Sequence, residues 1–351
     1  MNETIKGIIA LAIIIGVAAG IYAYDEWKSS QPLTLQKGDF AEIYYIGYFE
    51  NGSIFDSSFV GENISWNTSF DEKNYTLIPL KIYMGNEIPT KYPKGWSYSD
   101  IGTIKRWKVS EIKGLYNSLL GMKEEEEKII KLNASMAFGK SVVPGIKFNT
   151  SVLFGFEAQF EIIGIDTQND TVDLKWIPKI GQRFTMPQYW YSQPIAEPYW
   201  LWKNATEVIS FNETNVTLRI TPNKLHNITV FPWWENASSV GYNDTKIWIT
   251  TTPPLGNFTI YWGNYEIPGK VLNITKDKIT VWMKYGENET TQEMNRTQYF
   301  DRVITLPRIF QKFPQIYIED ELKKQGYSFH ELAGKNVTFR VKLLKIYRLT
   351  D

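Results

Sequence analysis

Residues 44–59 read YYIGYFENGSIFDSSF and place phenols, aromatic rings and a carboxylate within one short hairpin. Asn51-Gly52 between two apolar runs is the signature of a two-residue type I′ turn. Such a turn pairs Glu50 with Ser53, Phe49 with Ile54, Tyr48 with Phe55 and Gly47 with Asp56. Asp56 then faces a glycine. Its diagonal neighbour on that face is Tyr45, whose hydroxyl reaches the carboxylate across the space that Gly47 leaves open. An acid so placed organises a hydrogen bond and is not a proton-transfer base. Strict alternation turns Phe55 to the opposite face, so Phe55 and Asp56 share a pocket only if a bulge intervenes.

Covalent chemistry has few candidates in this chain. Cysteine is absent, which excludes thiol nucleophiles, disulfides and Cys-based zinc sites. With His226 and His330 the only histidines, a histidine-rich metal site is not expected either, and no cofactor is implied. Lysine plus arginine equal aspartate plus glutamate at 38 each, so no global field favours nucleic acid as a partner. The 351 residues, 43% hydrophobic and 22% charged, have ordinary globular composition and suffice for two or three domains.

The elements that must position the hairpin follow from periodicity. Apolar runs predict strands at 39–49, 53–59 and 77–84, separated by a polar excursion at 60–76. A turn-rich, aromatic insertion follows at 86–108. Ile112, Leu115, Leu119 and Met122 recur at helical spacing within 109–122, with Ser110 as the expected N-cap. The acids Glu124 to Glu127 lead into a strand at Lys128–Leu132, and 152–165 reads as another strand. Beyond 166, alternating runs at 216–220, 246–251, 258–262, 278–284 and 337–347 predict a β-rich half, with one helix near 317–325. Aromatics such as Trp190, Trp200, Trp202, Trp233 and Trp234 either line a groove or pack a small β core.

The N-terminus carries a separate signal. From Gly7 to Tyr24 the run GIIALAIIIGVAAGIYAY holds no charge for 18 residues, enough to cross ~30 Å of hydrocarbon as a helix. A cleaved signal peptide ending near Ala18-Ala19-Gly20 is the alternative. Lys6 before the run and Asp25-Glu26 after it favour residues 1–6 in the cytoplasm, a transmembrane helix at 7–24, a linker at 25–34 and the bulk of the chain outside. Of 23 asparagines, 19 sit in N-x-[ST] sequons. Chance predicts about three, so the excess points to a glycoprotein on an exported surface.

Three stretches stand in a telling order: KGDFAEIYYIGYFENGSIFDSSF (37–59), KGLYNSLLGMKEEEEKIIKL (113–132) and ASMAFG (134–139). Together they resemble the successive signatures of FKBP-type peptidyl-prolyl cis-trans isomerases, in the archaeal and SlyD-like branch. The resemblance implies an α+β fold class, an FKBP-like twisted antiparallel sheet around a short helix. It covers 35–165, with flap insertions near 60–76 and 86–108, and a β-rich C-terminal region follows at 166–351. It also implies that a substrate proline enters an apolar cup, with Tyr45, Phe55, Asp56 and Phe138 as the catalytic group and Leu80, Ile82, Ile112 and Leu115 binding substrate. Leu115 replaces a common tryptophan and Phe138 a tyrosine, which points away from tight macrolide binding. Glu125 replaces a glycine after the helix. HELAGKNVTFRVKLLKI (330–346) is similar to the segment with which SlyD-like and archaeal members close their sheet after an inserted chaperone domain. Two segments thus compete to close the first sheet: 156–165, the preferred one, and 337–347.

The activity implied is prolyl isomerisation of proline-containing unfolded or extracytoplasmic polypeptides, in a membrane-anchored protein with no nucleic-acid partner. From a different class, the same features suit a non-catalytic polypeptide-binding chaperone module or a cell-surface interaction protein.

Overall fold

The residues FAEIYYIGY form the strand Phe40–Tyr48, on which one part of the molecule is built. In this computed structural model the described residues are 32–349 except 62, 192, 196 and 197, together with Val17 and Tyr22. The run 7–24 therefore lies outside the described residues apart from Val17 and Tyr22. Among the described residues no helix is long and apolar enough to cross a membrane.

Two units emerge, Met1–Ser141 with Gly326–Asp351, and Val142–Gln325. In the first, Phe40–Tyr48 pairs along one edge with Val337–Tyr347, from Phe40↔Tyr347 to Tyr48↔Thr338. Its other edge is shared by Leu80–Tyr83 and Ile54–Ser57. Glu127–Leu132 adds to the far side of Val337–Tyr347. A strand flanked on both edges and covered on both faces is expected to be nearly continuous in apolar residues. Here Phe40, Ala41 and Ile43 through Gly47 are all buried.

One face, carrying Ala41, Ile43 and Tyr45, joins a core with Val337, Phe339, Val341 and Leu343 and with Leu115 and Leu119 of the helix Lys113–Leu119. The opposite face lies under the two insertions. Phe40 meets the rings of Tyr83, Tyr92 and Trp96, and Tyr44 stacks on Phe70. The helix begins later than its apolar spacing implies. Val109–Glu111 is a 3₁₀ turn and Ile112 holds the N-cap position, so Ser110 does not cap it. Glu125, at φ 66, is a left-handed turn residue, and its N–H donates to Leu343 O at 2.7 Å.

The closing strand is Val337–Tyr347, and the preferred alternative is corrected. Ala158–Asp166 belongs to another sheet, with Lys147–Thr150, Thr171–Trp176 and Ile309–Pro314. Its inward residues Ala158, Phe160 and Ile162 are buried, and Phe160 packs beside Phe154 and Phe310. The division expected at 165/166 accordingly falls at 141/142, and the chain returns to the first unit at Gly326.

The second unit contains further antiparallel sheets. One holds Val303–Pro307, Asn215–Ile220, Thr206–Phe211 and Arg183–Phe184. A second holds Ser238–Tyr242, Lys246–Thr251 and Thr297–Asp301. A third holds Gly256–Trp262, Tyr265–Ile274, Lys278–Tyr285 and Asn288–Asn295. Trp190, Trp202 and Trp234 are buried, which places these aromatics in packing. Buried Arg308 donates to Trp176 O and Asn212 O at 2.9 and 2.6 Å, satisfying strand-end carbonyls that apolar neighbours leave unpaired.

The expected α+β class, with one twisted sheet around a short helix, is corrected, while the transmembrane helix expected at 7–24 lies outside the described residues apart from Val17 and Tyr22. Strands make up 45% of the described residues, distributed over several small sheets. Apart from the helical residues Val17 and Tyr22, described α-helix is confined to Lys113–Leu119 and Glu319–Lys324. The reason is physical: alternating runs joined by short Asn- and Gly-bearing turns pair with their sequence neighbours, and little of the chain has the 3.6-residue period a helix needs.

Both ends of the first unit are held by one ion pair. Asp39, 3% exposed, accepts from Arg348 Nε at 2.9 Å and Nη2 at 2.6 Å, and from Gln36 N at 2.8 Å. Removing the arginine leaves a buried carboxylate with one neutral donor. Arg348→Ala is therefore expected to destabilise this unit by about 2 kcal/mol, read as a lower urea midpoint. An unchanged midpoint would show that the pair holds nothing together.

Candidate functional site

The hairpin after Phe40–Tyr48 departs from the expected turn. Gly52 N donates to Phe49 O and Phe49 N to Ser53 O, both at 2.9 Å, and Gly52 has φ +81. The loop thus has the residues Glu50, Asn51 and Gly52, a turn closed by a glycine in the left-handed region. Asn51 Oδ1 stiffens it by accepting from Ser53 N at 3.0 Å and Ser53 Oγ at 2.7 Å. Pairing resumes at Tyr48↔Ile54, then jumps to Gly47↔Asp56. The added loop residue and the bulged Phe55 cancel, so Gly47 still faces Asp56.

The bulge is what turns Phe55 inward. Its ring occupies the space beside Gly47, where an added Cβ would meet Phe55 Cζ at 2.5 Å. Phe55 then packs against Phe49, Phe138 and Phe339, with ring centroids 5.1, 6.2 and 5.7 Å away. Phe55 and Asp56 consequently border one region.

Asp56 is half-buried at the rim. Its Oδ1 accepts from Ser57 N at 2.9 Å and its Oδ2 from Lys105 N at 3.1 Å. Tyr45 lies beneath, 5% exposed. Burial, then the charge of the Asp56 carboxylate, then hydrogen bonding to it, push the Tyr45 hydroxyl far above its ordinary value. The phenol stays protonated and remains a donor. On the opposite face Tyr44 donates to Glu72 Oε1 at 2.9 Å and is pushed up to about 12, by burial first and Glu72 second.

Lys105 belongs to a tight turn. Ile104 and Trp107 exchange backbone hydrogen bonds at 2.8 and 3.0 Å. Lys105 and Arg106 both take positive φ, 47 and 73, which side-chain-bearing residues adopt at a cost. The Lys105 peptide is gripped from two sides. Its N–H reaches Asp56, and its carbonyl meets His330 Nε2 at 2.7 Å. Since Leu332 N donates to His330 Nδ1 at 3.0 Å, the proton sits on Nε2, which donates to Lys105 O. The imidazole stacks on Phe138 at 4.5 Å and meets the edge of Trp107 at 5.2 Å. Burial lowers its pKa, outweighing the hydrogen bond to Lys105 and the nearby Glu331, which act the other way.

The residues proposed from sequence converge. Tyr45, Ile82, Ile112, Leu115 and Phe138 share one buried cluster, with Phe55 and Leu80 packed half-buried against it. They do not form an open cup, because Ile112, Leu115 and Phe138 are 0% exposed. The reachable part of the region comprises Phe55, Asp56, Leu80, Trp107 and His330, all partly exposed. Sequence reasoning passed over Lys105, Trp107 and His330 as site residues. Lys105-Arg106 lacks the Asn or Gly that advertises such a turn. His330 stood inside the quoted HELAGK stretch and offered a signal. Among the described residues no group of three or more His, Cys, Asp or Glu is arranged to hold a metal.

Compared with known proteins, the chain matches no family model and no curated relative. The functional reading therefore rests on these residues.

Two measurements probe the geometry. Gly47→Ala must displace the Phe55 ring, so it is expected to cost about 1–3 kcal/mol and to change the near-ultraviolet circular dichroism; an unperturbed spectrum would remove the close approach. For Tyr45 the sign is fixed by its raised pKa. The neutral phenol belongs to the folded state, so its stabilisation is complete below the unfolded value of about 10 and is lost as pH rises above it. Tyr45→Phe is expected to flatten the alkaline decline in stability, measured by urea unfolding across that range.

Proposed function

We propose that the chain is a peptidyl-prolyl cis-trans isomerase of the FKBP type, anchored in the cell membrane with its bulk outside, that assists folding of exported polypeptides. The observation that carries this reading is the bulge at Phe55, which sets an apolar ring beside a phenol and its organising carboxylate over one buried cluster. The order of the three FKBP-like stretches supports it, and the apolar run 7–24 with the 19 sequons supports the location.

Rotation about an X-Pro bond faces ~18–20 kcal/mol because amide resonance must be broken, and it requires no nucleophile or metal. The planar amide is charge-separated and the twisted one less so. A dry surface of Phe55 and Leu80, floored by Ile82, Ile112 and Leu115, therefore favours the twisted amide. Phe138 holds Phe55 and His330 in place. Tyr45, kept protonated, donates its one hydroxyl hydrogen bond to Asp56 and fixes that carboxylate at the rim beside the substrate amide. For a proline ring to reach Ile112 and Leu115, Phe55 or the Lys105–Arg106 turn must swing aside.

A second reading from another class has its own observation. In the unit Val142–Gln325 a hollow of about 410 Å³ is lined by Trp233, Trp234, Phe258, Trp262, Met283 and Met294, among others. Tyr261, Trp262 and Tyr265 are 73%, 76% and 77% exposed. Such a surface suits non-catalytic retention of unfolded polypeptide.

A protease-coupled assay on a short X-Pro peptide, paired with suppression of aggregation of an unfolded client, separates the two. Phe55→Ala with Asp56→Ala is expected to lower kcat/KM at least tenfold, about 1.4 kcal/mol, while Trp262→Ser is expected to leave it unchanged. Turnover indifferent to the first pair would sink the isomerase reading. Aggregation control lost only with Trp262→Ser would favour the second.

A further inference from the structure

Three of the sequon asparagines, Asn51, Asn133 and Asn336, line a single surface hollow of about 840 Å³. They come from distant parts of the chain: the hairpin loop, the residue after the strand Glu127–Leu132 and the residue before Val337–Tyr347. Antiparallel pairing of Leu132 with Val337 brings the last two together. Asn336 reaches the first directly, its Nδ2 donating to Glu50 Oε1 at 3.3 Å, while its Oδ1 accepts from Ala134 N at 3.2 Å.

Between them, beside the polar Glu50, Lys131 and Thr338, the lining carries uncovered apolar side chains. Trp66 is 43% and Ile129 55% exposed, and the Tyr48 ring lies 5.7 Å from that of Trp66. Ile129 sits on Glu127–Leu132, an edge strand of its sheet among the described residues. An exposed apolar edge invites pairing with another chain unless something covers it.

The asparagines are held ready by their oxygens. Asn51 Oδ1 accepts from Ser53 N and Oγ, and Asn133 Oδ1 accepts from Ser135 Oγ at 2.8 Å and Met136 N at 3.1 Å. In both, the sequon hydroxyl locks the carbonyl of an exposed side chain, and the amide nitrogen is the atom that would carry sugar.

We propose that N-linked glycans on Asn51, Asn133 and Asn336 fold back into this hollow, stack on Trp66 and Ile129 and seal the free strand edge. Attachment joins each Nδ2 to the anomeric carbon of an activated, lipid-linked oligosaccharide phosphate, with loss of one amide proton and departure of the phosphate carrier. Sugar rings suit the place, since their C–H faces lie against aromatic rings and their hydroxyls pair with the backbone groups that an edge strand leaves unpaired. The proposal rests on export of this part of the chain and is independent of isomerase activity.

The test uses the full chain purified from its native membranes, with peptide mass spectrometry and hydroxyl-radical footprinting. Ser53→Ala, Ser135→Ala and Thr338→Val abolish the sequons while keeping each asparagine and the backbone N–H groups that donate to its Oδ1. The expected result is glycan on all three peptides of the wild type, and severalfold faster oxidation of Trp66 with more aggregation in the triple variant. Ser151→Ala, which removes the Asn149 sequon of the other unit, is expected to leave Trp66 oxidation unchanged. Bare asparagines at these positions would overturn the proposal, and bare sequons throughout the chain would overturn the exported topology as well. Occupied asparagines with unaltered Trp66 oxidation would overturn the covering role alone.

Discussion

The unit that holds the candidate site depends on the pairing of Phe40–Tyr48 with Val337–Tyr347. It joins segments far apart in sequence, so the loop closed between them carries an entropic cost that grows only slowly with its length. That slow growth is why a whole second unit can sit inside the loop. The return is a strand with both edges paired and both faces covered, buried at nearly every position. Asp39 and Arg348 fasten the same pairing at its end, where Phe40 meets Tyr347.

From that strand the site follows by small steps. Gly47 gives up its side chain to admit Phe55, and the bulge that turns Phe55 inward leaves Asp56 above Tyr45. The carboxylate then reaches outward to the Lys105 peptide, and His330 takes the other end of the same residue. A strained turn is thus held by a carboxylate and a neutral imidazole, each bonded to backbone. Strain of this kind persists only where neighbours over-determine it. Here it stands over Phe138, itself pressed between Phe55, Trp107 and His330.

Surface chemistry has its own logic. Asparagines of the sequons do double duty, closing turns through Oδ1 while remaining exposed, as at Asn212 and Asn243, which accept from the N–H of the threonine two residues on. In the first unit the strand ends gather three of them around an uncovered edge. Elsewhere strand edges are blunted by composition: Asn288–Asn295 is almost wholly polar and exposed.

Much was legible in the sequence because local pattern sufficed for it. The strands near 40–48, 246–251, 278–285 and 337–347 and the helix within 109–122 all follow from periodicity over a few residues. The grouping of Tyr45, Phe55, Ile82, Ile112, Leu115 and Phe138 followed from the order of the FKBP-like stretches. Tertiary structure decided what no local pattern encodes. Which strand closes the sheet was a competition between two segments of similar alternation. It was settled because Phe160 and Ile162 fit an aromatic core of their own, and 337–347 matches the whole length of the first strand. The loop and bulge cancel in register, so pairing arithmetic alone was blind to both. Lys105, Trp107 and His330 meet at the site only through long-range hydrogen bonds and ring contacts, which sequence spacing does not record.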